Sequence, residues 1–495
     1  MPVPFSPSRR TILRGGAAAA AIPFVGALRA FSERLGSDAG VAPVAGPYGP
    51  IQPAKDESTG LELLQLPRGF RYASFSWTGD PMANGDPVPP RHDGMAVVAS
   101  RRRRGVSELV LVRNHEVGSG ALIRAPGIYD ALGAPSALGG GTTNLVVGPD
   151  PARGVTTLPS LGGTLINCAG GPTPWGTWLT CEETTADLRS SGGKKHGYVF
   201  EVGAEPDASA GVPLVGMGRF VHEAVAVDPA SGIVYQTQDD LNRSALYRYV
   251  PDDDSGRPGS LARGGRLQAA RVKGVDNASL LAPALGEEHD VGWVDIADPD
   301  ADPGDGSLPD APGPAAGPFL QAWAAGALRM SRGEGIWYFG GKLFVVDTSA
   351  GVDGEGRPGF GTGAVWELDL ATMRMRAIFV SSDPLAGNHP DNVTVSPRGG
   401  ILLCEDGGGV EDDFGFGNRL MGLLPSGETF VLAKNDITLG QADLAAAGKA
   451  VEPGDYRGAE FCGACFDPAG EVLFVNVQTP GITVAIRGPW ARGTL

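Results

Sequence analysis

The sequence lacks a long hydrophobic run. Past its N-terminus no segment reaches the roughly eighteen consecutive apolar residues of a spanning helix, so no stable membrane anchor is expected. It is also short of positive charge. Forty Lys and Arg stand against 56 Asp and Glu, a formal charge of −16. A chain this acidic does not bind phosphate backbones by general electrostatics, which excludes nucleic acid as a partner. Cysteine is scarce: Cys168, Cys181, Cys404, Cys462 and Cys465 form an odd, irregularly spaced set of five. That excludes a disulfide framework. A single Cys462-x-x-Cys465 has no second pair to complete a zinc site and reads as structural. No nucleophile elbow, phosphate-binding loop or dinucleotide fingerprint occurs with the right flanks.

Turn residues are abundant. Glycine (76) and proline (41) make up just under a quarter of the chain, with no collagen-like period. With 42% apolar residues, this is a globular chain of short strands and tight turns. The N-terminus carries Arg9 and Arg10 before a weakly apolar stretch, Gly15 to Leu28. That pattern is a twin-arginine export signal over residues 1–31, followed by an extended lead-in over 32–60. It implies passage through the twin-arginine translocase to the periplasm or beyond. That route carries folded proteins, often with a metal already fitted.

From residue 61 to 495 one pattern recurs: a hydrophobic strand, an Asp-Pro or Ser-Pro turn with glycine, then a second hydrophobic strand ending in acids. Glu223–Asp240, Asp391–Asp406, Cys465–Gln478 and, more weakly, Glu334–Asp347 are copies. Repeated hairpins of this kind predict an all-β protein, a single β-propeller domain with six blades, insertion loops and a few short helices. Loops are expected over about 251–271 and 297–317, and a short helix over about 318–330. Asp298, Asp300 and Asp302 imitate a calcium loop, but the required glycine is misplaced and Pro309 takes the twelfth position, which rejects an EF-hand.

The chemistry-bearing residues lie at the starts and ends of the repeated strands, where blades converge on a central channel. They are Asn114-His115-Glu116, Thr180-Cys181-Glu182-Glu183, His222-Glu223, Arg332-Gly333-Glu334, and Glu405-Asp406 with Asp391 and Asn392. Carboxylates suit hard cations, whereas a thiolate suits a transition metal. Cys181 among acids therefore suggests mixed metals; its other reading is a small buried apolar residue. Glu182 and Glu183 point to opposite faces of a strand, so one of the two faces the channel. Arg332 either grips an anion or forms a surface ion pair.

Taken together, several motifs resemble the PhoX family of secreted alkaline phosphatases. They are the twin-arginine leader, Asp93-Gly-Met95, Asn114-His-Glu116, Thr177–Glu183, Arg219–Glu223, Trp293–Ile296, Arg332-x-Glu334, Phe474–Gln478 and Gly488-Pro-Trp490. The chain is shorter than the best-known members, with a compact Cys181–Glu223 interval. The resemblance implies a monomeric six-bladed propeller that holds Ca²⁺ and Fe³⁺ and hydrolyses small phosphate monoesters. It implies Cys181 as an iron ligand, Glu223 and Glu334 as metal ligands, and Arg332 as the catalytic residue that grips phosphate. Glu116, Glu182 and Asp406 complete the expected metal set. A calcium-dependent propeller lactonase or a non-catalytic, calcium-stabilised binding propeller are the alternatives; bound iron would discriminate against both.

Overall fold

The computed structural model describes residues 42–103, 105–132 and 138–495. The export signal and the start of the lead-in lie outside the described residues.

The hairpins form because their turns satisfy their own backbone. In the turn after His222–Val227, the Asp228 carboxylate accepts the Ala230 N–H at 3.0 Å and the Ser231 hydroxyl at 2.6 Å, while Gly232 takes φ +72°. Ser396 does the same for Arg398 and Gly400, and Asp467 for Glu471 and Val472. These are the side-chain-capped turns that Asp, Ser and Gly favour.

The structure is a β-propeller. Six strands line its axis: His92–Arg103, Asn167–Pro172, His222–Val227, Gly333–Phe339, Pro390–Val395 and Phe461–Phe466. Each packs against the next in that order, and the last packs against the first. Each inner strand begins an antiparallel sheet that runs outward. The ring is closed by the chain's two ends. Arg71–Phe75 pairs with Ile482–Arg487, so an early strand completes the last sheet. Nearby, Tyr48 accepts the Leu495 N–H at 3.0 Å. Apolar clusters fill the space between neighbouring sheets, as around Phe344, Ile378, Leu403 and Met421.

Three expected segments differ in detail. The 251–271 stretch is not all loop: Gly265–Val272 is the outermost strand of the third sheet, because Leu267, Ala269 and Ala270 have an apolar cluster to bury against. Residues 297–317 contain a two-stranded pair, Gly304–Asp305 with Pro314–Ala315. Asp302 there is tied to Lys195 and Arg219, so cations hold these acids. The following helix is shorter than expected, Gly317–Ala324. The lead-in also contributes a strand, Ile51–Lys55, which extends the fifth sheet through Glu62–Pro67. Glu288–Asp295 pairs with outer strands of both the third and fourth sheets and joins them into one of nine strands. No described helix is long and apolar enough to cross a membrane.

Candidate metal centre

Every inner strand is interrupted at the same place. Its pairing with the second strand breaks between His92 and Met95, Asn167 and Gly170, His222 and Val225, Gly333 and Ile336, Pro390 and Val393, and Cys462 and Cys465. A β-bulge bends a strand and re-aims a side chain. The first residue inside each bulge is Asp93, Cys168, Glu223, Glu334, Asp391 and Gly463 in turn. Five of the six positions therefore carry a group able to ligate a metal. The next residue is small at nearly every blade, and has to be. A Cβ on Gly94 would stand 2.5 Å from the Ala169 Cα, and one on Gly335 would stand 2.7 Å from the Asp391 carbonyl oxygen. These residues close the axis down to a void of about 20 Å³ beneath the acids.

A second ring comes from the residue just past the end of four of the six second strands: Glu116, Glu183, Asp239 and Asp406. The two rings meet in a cavity of about 320 Å³, lined among others by Cys168, Glu183, Glu334, Asp391, Asp406 and Glu460. Among the described residues, four triads have ligand atoms within 4.8 Å of one another: Cys168–Glu183–Glu223, Glu223–Glu334–Asp391, Asp391–Asp406–Glu460, and Asp93–Glu460–Cys462. Consecutive triads share Glu223, Asp391 and Glu460. The arrangement is a chain of linked sites rather than one. It grades outward, from Glu223 and Glu334, which are fully buried, to Asp406, which is exposed at the mouth.

The electrostatics are unfavourable without cations. Burial, then the charges of Glu334, Asp391, Glu183 and Asp93, pushes Glu223 well above the ordinary carboxylate range. Glu334 is raised by burial and then by Asp239, and Glu183 likewise. Asp391 is pushed up to about 7 by burial and by Asp406. Burial, then Asp93 and Glu223, raises the Cys168 thiol. Both Glu223 oxygens are buried and accept no hydrogen bond from any described group. Buried carboxylates are otherwise paired or bound to metal. A cation inverts each of these shifts by favouring the charged ligand. The donor set, carboxylates with the Cys168 thiol in one end triad and the Cys462 thiol in the other, fits hard cations beside a softer transition metal.

Arg332 stands at the edge of this set, on the residue before an inner strand. Its Nε donates to Asp239 Oδ1 at 2.8 Å, and its Nη2 lies 2.6 Å from Glu334 Oε1. Buried Asp347 accepts the Ser331 and Arg332 N–H groups, each at 3.1 Å, which fixes the backbone from which the side chain extends.

The expected residues divide accordingly. Glu223, Glu334 and Asp406 come together in the triads, and Arg332 lines their cavity. Glu116 also lines the cavity, held by Arg91 and by Gln478 Nε2 at 2.6 Å, but it joins no triad. Cys181 and Glu182 lie elsewhere. Cys181 sits opposite the bulge, packed with Leu179, Val199, Leu214 and Val225, and burial alone raises its thiol. Glu182 turns into the blade, where it accepts the Leu165 N–H at 2.9 Å and the Gly197 N–H at 2.8 Å and lies 2.6 Å from His196 Nδ1. The cysteines in the cluster are Cys168 and Cys462, the latter also donating its thiol to the His92 carbonyl at 3.0 Å. Sequence reasoning passed over Cys168 and Glu460 as ligands, read Cys462 as structural, and named Asp93 only within a family motif. The signal was available: aligning the repeats puts a ligand-capable residue followed by a small one at four of the six strand starts.

A family model for alkaline phosphatase PhoX matches residues 46–481. The chain belongs to the PhoX alkaline phosphatase family. It is an enzyme that hydrolyses phosphate monoesters, so its substrates are small phosphorylated molecules. PhoX enzymes are metal-dependent and work outside the cytoplasm. Among solved structures, Pseudomonas fluorescens PhoX in complex with vanadate, a transition state analogue, gives a TM-score of 0.61 at 17% identity, covering 92% of this chain and 99% of that one. A Xanthomonas campestris gluconolactonase gives a TM-score of 0.37 at 14% identity, over 89% and 98% of the two chains. No curated protein matches.

Proposed function

We propose that this PhoX-family enzyme cleaves phosphate monoesters at a linked cluster of iron and calcium ions in the propeller channel. Cys168, Glu183 and Glu223 would hold iron, since they set a thiolate beside two hard oxygen donors, whereas the Cys462 thiol of the Asp93–Glu460–Cys462 triad donates to the His92 carbonyl at 3.0 Å. Glu334, Asp391, Asp406, Glu460 and Asp93 would hold calcium, which takes carboxylate oxygens. Cys168 takes the role that the family resemblance first suggested for Cys181. The observation that carries this reading is Glu223, a fully buried carboxylate with no partner for either oxygen.

Such ions, when bound, supply a water of lowered pKa and polarise the phosphoryl oxygens. The chain's own residues do the rest. Arg332 turns its Nη1 donor edge to the phosphoryl oxygens, its Nε–Nη2 fork held by Asp239 and its backbone pinned on Asp347. Glu334, ion-paired to Arg332, links that fork to the ligand set. The small residues beneath the bulges close the channel's inner end, so substrate and water exchange through the mouth beside Asp406. The protein acts as a monomer, exported folded through the twin-arginine translocase to the periplasm or beyond.

The test is elemental analysis of protein purified from its export route, beside a p-nitrophenyl phosphate assay with and without chelator. Iron and calcium together, activity lost on chelation, and loss of turnover in Arg332→Ala are expected. Calcium without iron, or wild-type rates in Arg332→Ala, would overturn the reading.

A further inference from the structure

The cavity is lined by two cations among its acids, Arg91 and Arg332. They occupy equivalent places. Each is the residue immediately before an inner strand, His92–Arg103 for one and Gly333–Phe339 for the other. Those strands are three steps apart in either direction round the ring of six, so the arginines face the cavity from opposite blades. Their burial differs. The Arg332 side chain is 31% exposed and is tied to two carboxylates, Asp239 and Glu334. Arg91 is 46% exposed and is tied to one, Glu116. Its Nε donates to the Glu116 carbonyl at 2.9 Å and reaches Oε2 at 3.2 Å; Nη2 also donates to Oε2, and Nη1 has no partner among the described residues. Arg91 adopts φ +51°, a left-handed backbone uncommon for a residue with a side chain. Ile166 (φ +48°) and His389 (φ +51°) adopt it at the equivalent place before their own inner strands, so this backbone belongs to the strand entry.

We infer that Arg91 is a second anion-binding residue, which selects phosphate monoesters bearing a further anionic group, a carboxylate or a second phosphate. This rests on the proposed role of Arg332 at the reacting phosphoryl group. Arg332, deeper and doubly held, meets that group. Arg91, at the opposite rim with an unused donor edge, meets the far end of the substrate. A guanidinium suits both candidate groups, because its fork matches carboxylate and phosphate alike. The two sources of the second charge are told apart by the probes.

The experiment compares KM for matched pairs: fructose 1,6-bisphosphate against fructose 6-phosphate, and 3-phosphoglycerate against glycerol 3-phosphate. Arg91→Asn is the main variant, since Asn tolerates a left-handed backbone. In the wild type the substrate with the extra charge has the lower KM in at least one pair. In Arg91→Asn that preference shrinks by about tenfold, the scale of one hydrogen bond to a charged group. Arg91→Lys, which keeps the charge but loses the fork, falls between. The pair that responds identifies the second group as phosphate or carboxylate. No preference in the wild type, or the same KM change for all four substrates in Arg91→Asn, overturns the inference. Arg332→Gln serves as the separate control. Loss of turnover on all four substrates supports the underlying reading, and wild-type turnover sinks that reading whatever Arg91 does.

Discussion

Two buried acids of this propeller, Glu405 and Glu223, have opposite surroundings. Glu405 is 1% exposed and wholly satisfied. Its Oε2 accepts Arg419 Nε at 2.7 Å, and its Oε1 accepts Arg419 Nη2 at 2.7 Å and the Asn388 N–H at 2.8 Å. Arg419 also donates to the Leu385 and Pro384 carbonyls and, at 3.5 Å, to Asp412. Glu223 is as deeply buried, yet faces four other acids and accepts no hydrogen bond from the described residues. The fold has thus spent an arginine on one carboxylate and left the other for something it does not itself supply. Burial alone does not separate a structural charge from a functional one; the inventory of partners does.

The sharpest way to break this comparison is to neutralise each acid or its partner. Glu223→Gln should cut kcat with p-nitrophenyl phosphate by about 10³-fold, the upper range for removing one group that stabilises the transition state, and should lower bound metal. The unfolding midpoint of the chelated protein should not fall, because an amide is cheaper to bury than an unpaired carboxylate. Arg419→Ala should behave in the reverse way. It strands Glu405 in the blade and should cost about 3–5 kcal/mol in denaturant unfolding, while folded protein keeps its metal content. Equal destabilisation by both substitutions would erase the distinction.

pH sharpens the same contrast. In chelated protein the channel carboxylates have folded pKa values raised above their unfolded ones, with Asp391 at about 7. Between the ordinary carboxylate range near pH 4 and about pH 7 the native state therefore binds more protons than the unfolded state. Stability of the chelated protein should fall as pH rises through that window. The metal-loaded protein should run the other way, losing stability as acid competes for the ligands. Parallel thermal melts of the two forms from pH 4 to 8 check this, and matching profiles would mean that the channel acids do not hold the metal.

Much of this was legible beforehand. The hairpin repeats, their turn chemistry and the acids at strand ends predict a propeller with a channel site, and Glu223, Glu334, Asp406 and Arg332 lie where that logic puts them. What strand alternation could not reveal was the bulge. In a regular strand the residue after Asn167 would be an ordinary side chain of one face. In the bulged strand Cys168 turns to the axis instead, and Cys181, opposite the irregularity, turns into the blade. Adjacent acids divide in the same manner: Glu182 and Glu405 serve the blade interior, while Glu183 and Asp406 serve the channel. A bulge is a two-strand event, visible only once the repeats are laid over one another.

The smallest expected effect tests that division most directly. Cys181 and Cys168 are both buried thiols, thirteen positions apart and on neighbouring strands of one sheet. They differ in company: Cys181 touches Leu179, Val199 and Val225, whereas the Cys168 Sγ lies 3.8 Å from Asp93 Oδ2 and groups with Glu183 and Glu223. Cys181→Ala removes one sulfur from an apolar cluster, which should cost roughly 1 kcal/mol of stability and leave turnover and iron content as in the wild type. Cys168→Ala removes the soft ligand from the Cys168–Glu183–Glu223 triad, which otherwise offers only oxygen, so iron should be lost while calcium is retained. Iron lost from Cys181→Ala and kept in Cys168→Ala would return the thiolate to the strand end and undo the argument from the bulge. The reverse would mean that a one-residue irregularity, repeated round the ring, decides which side chains reach the metal.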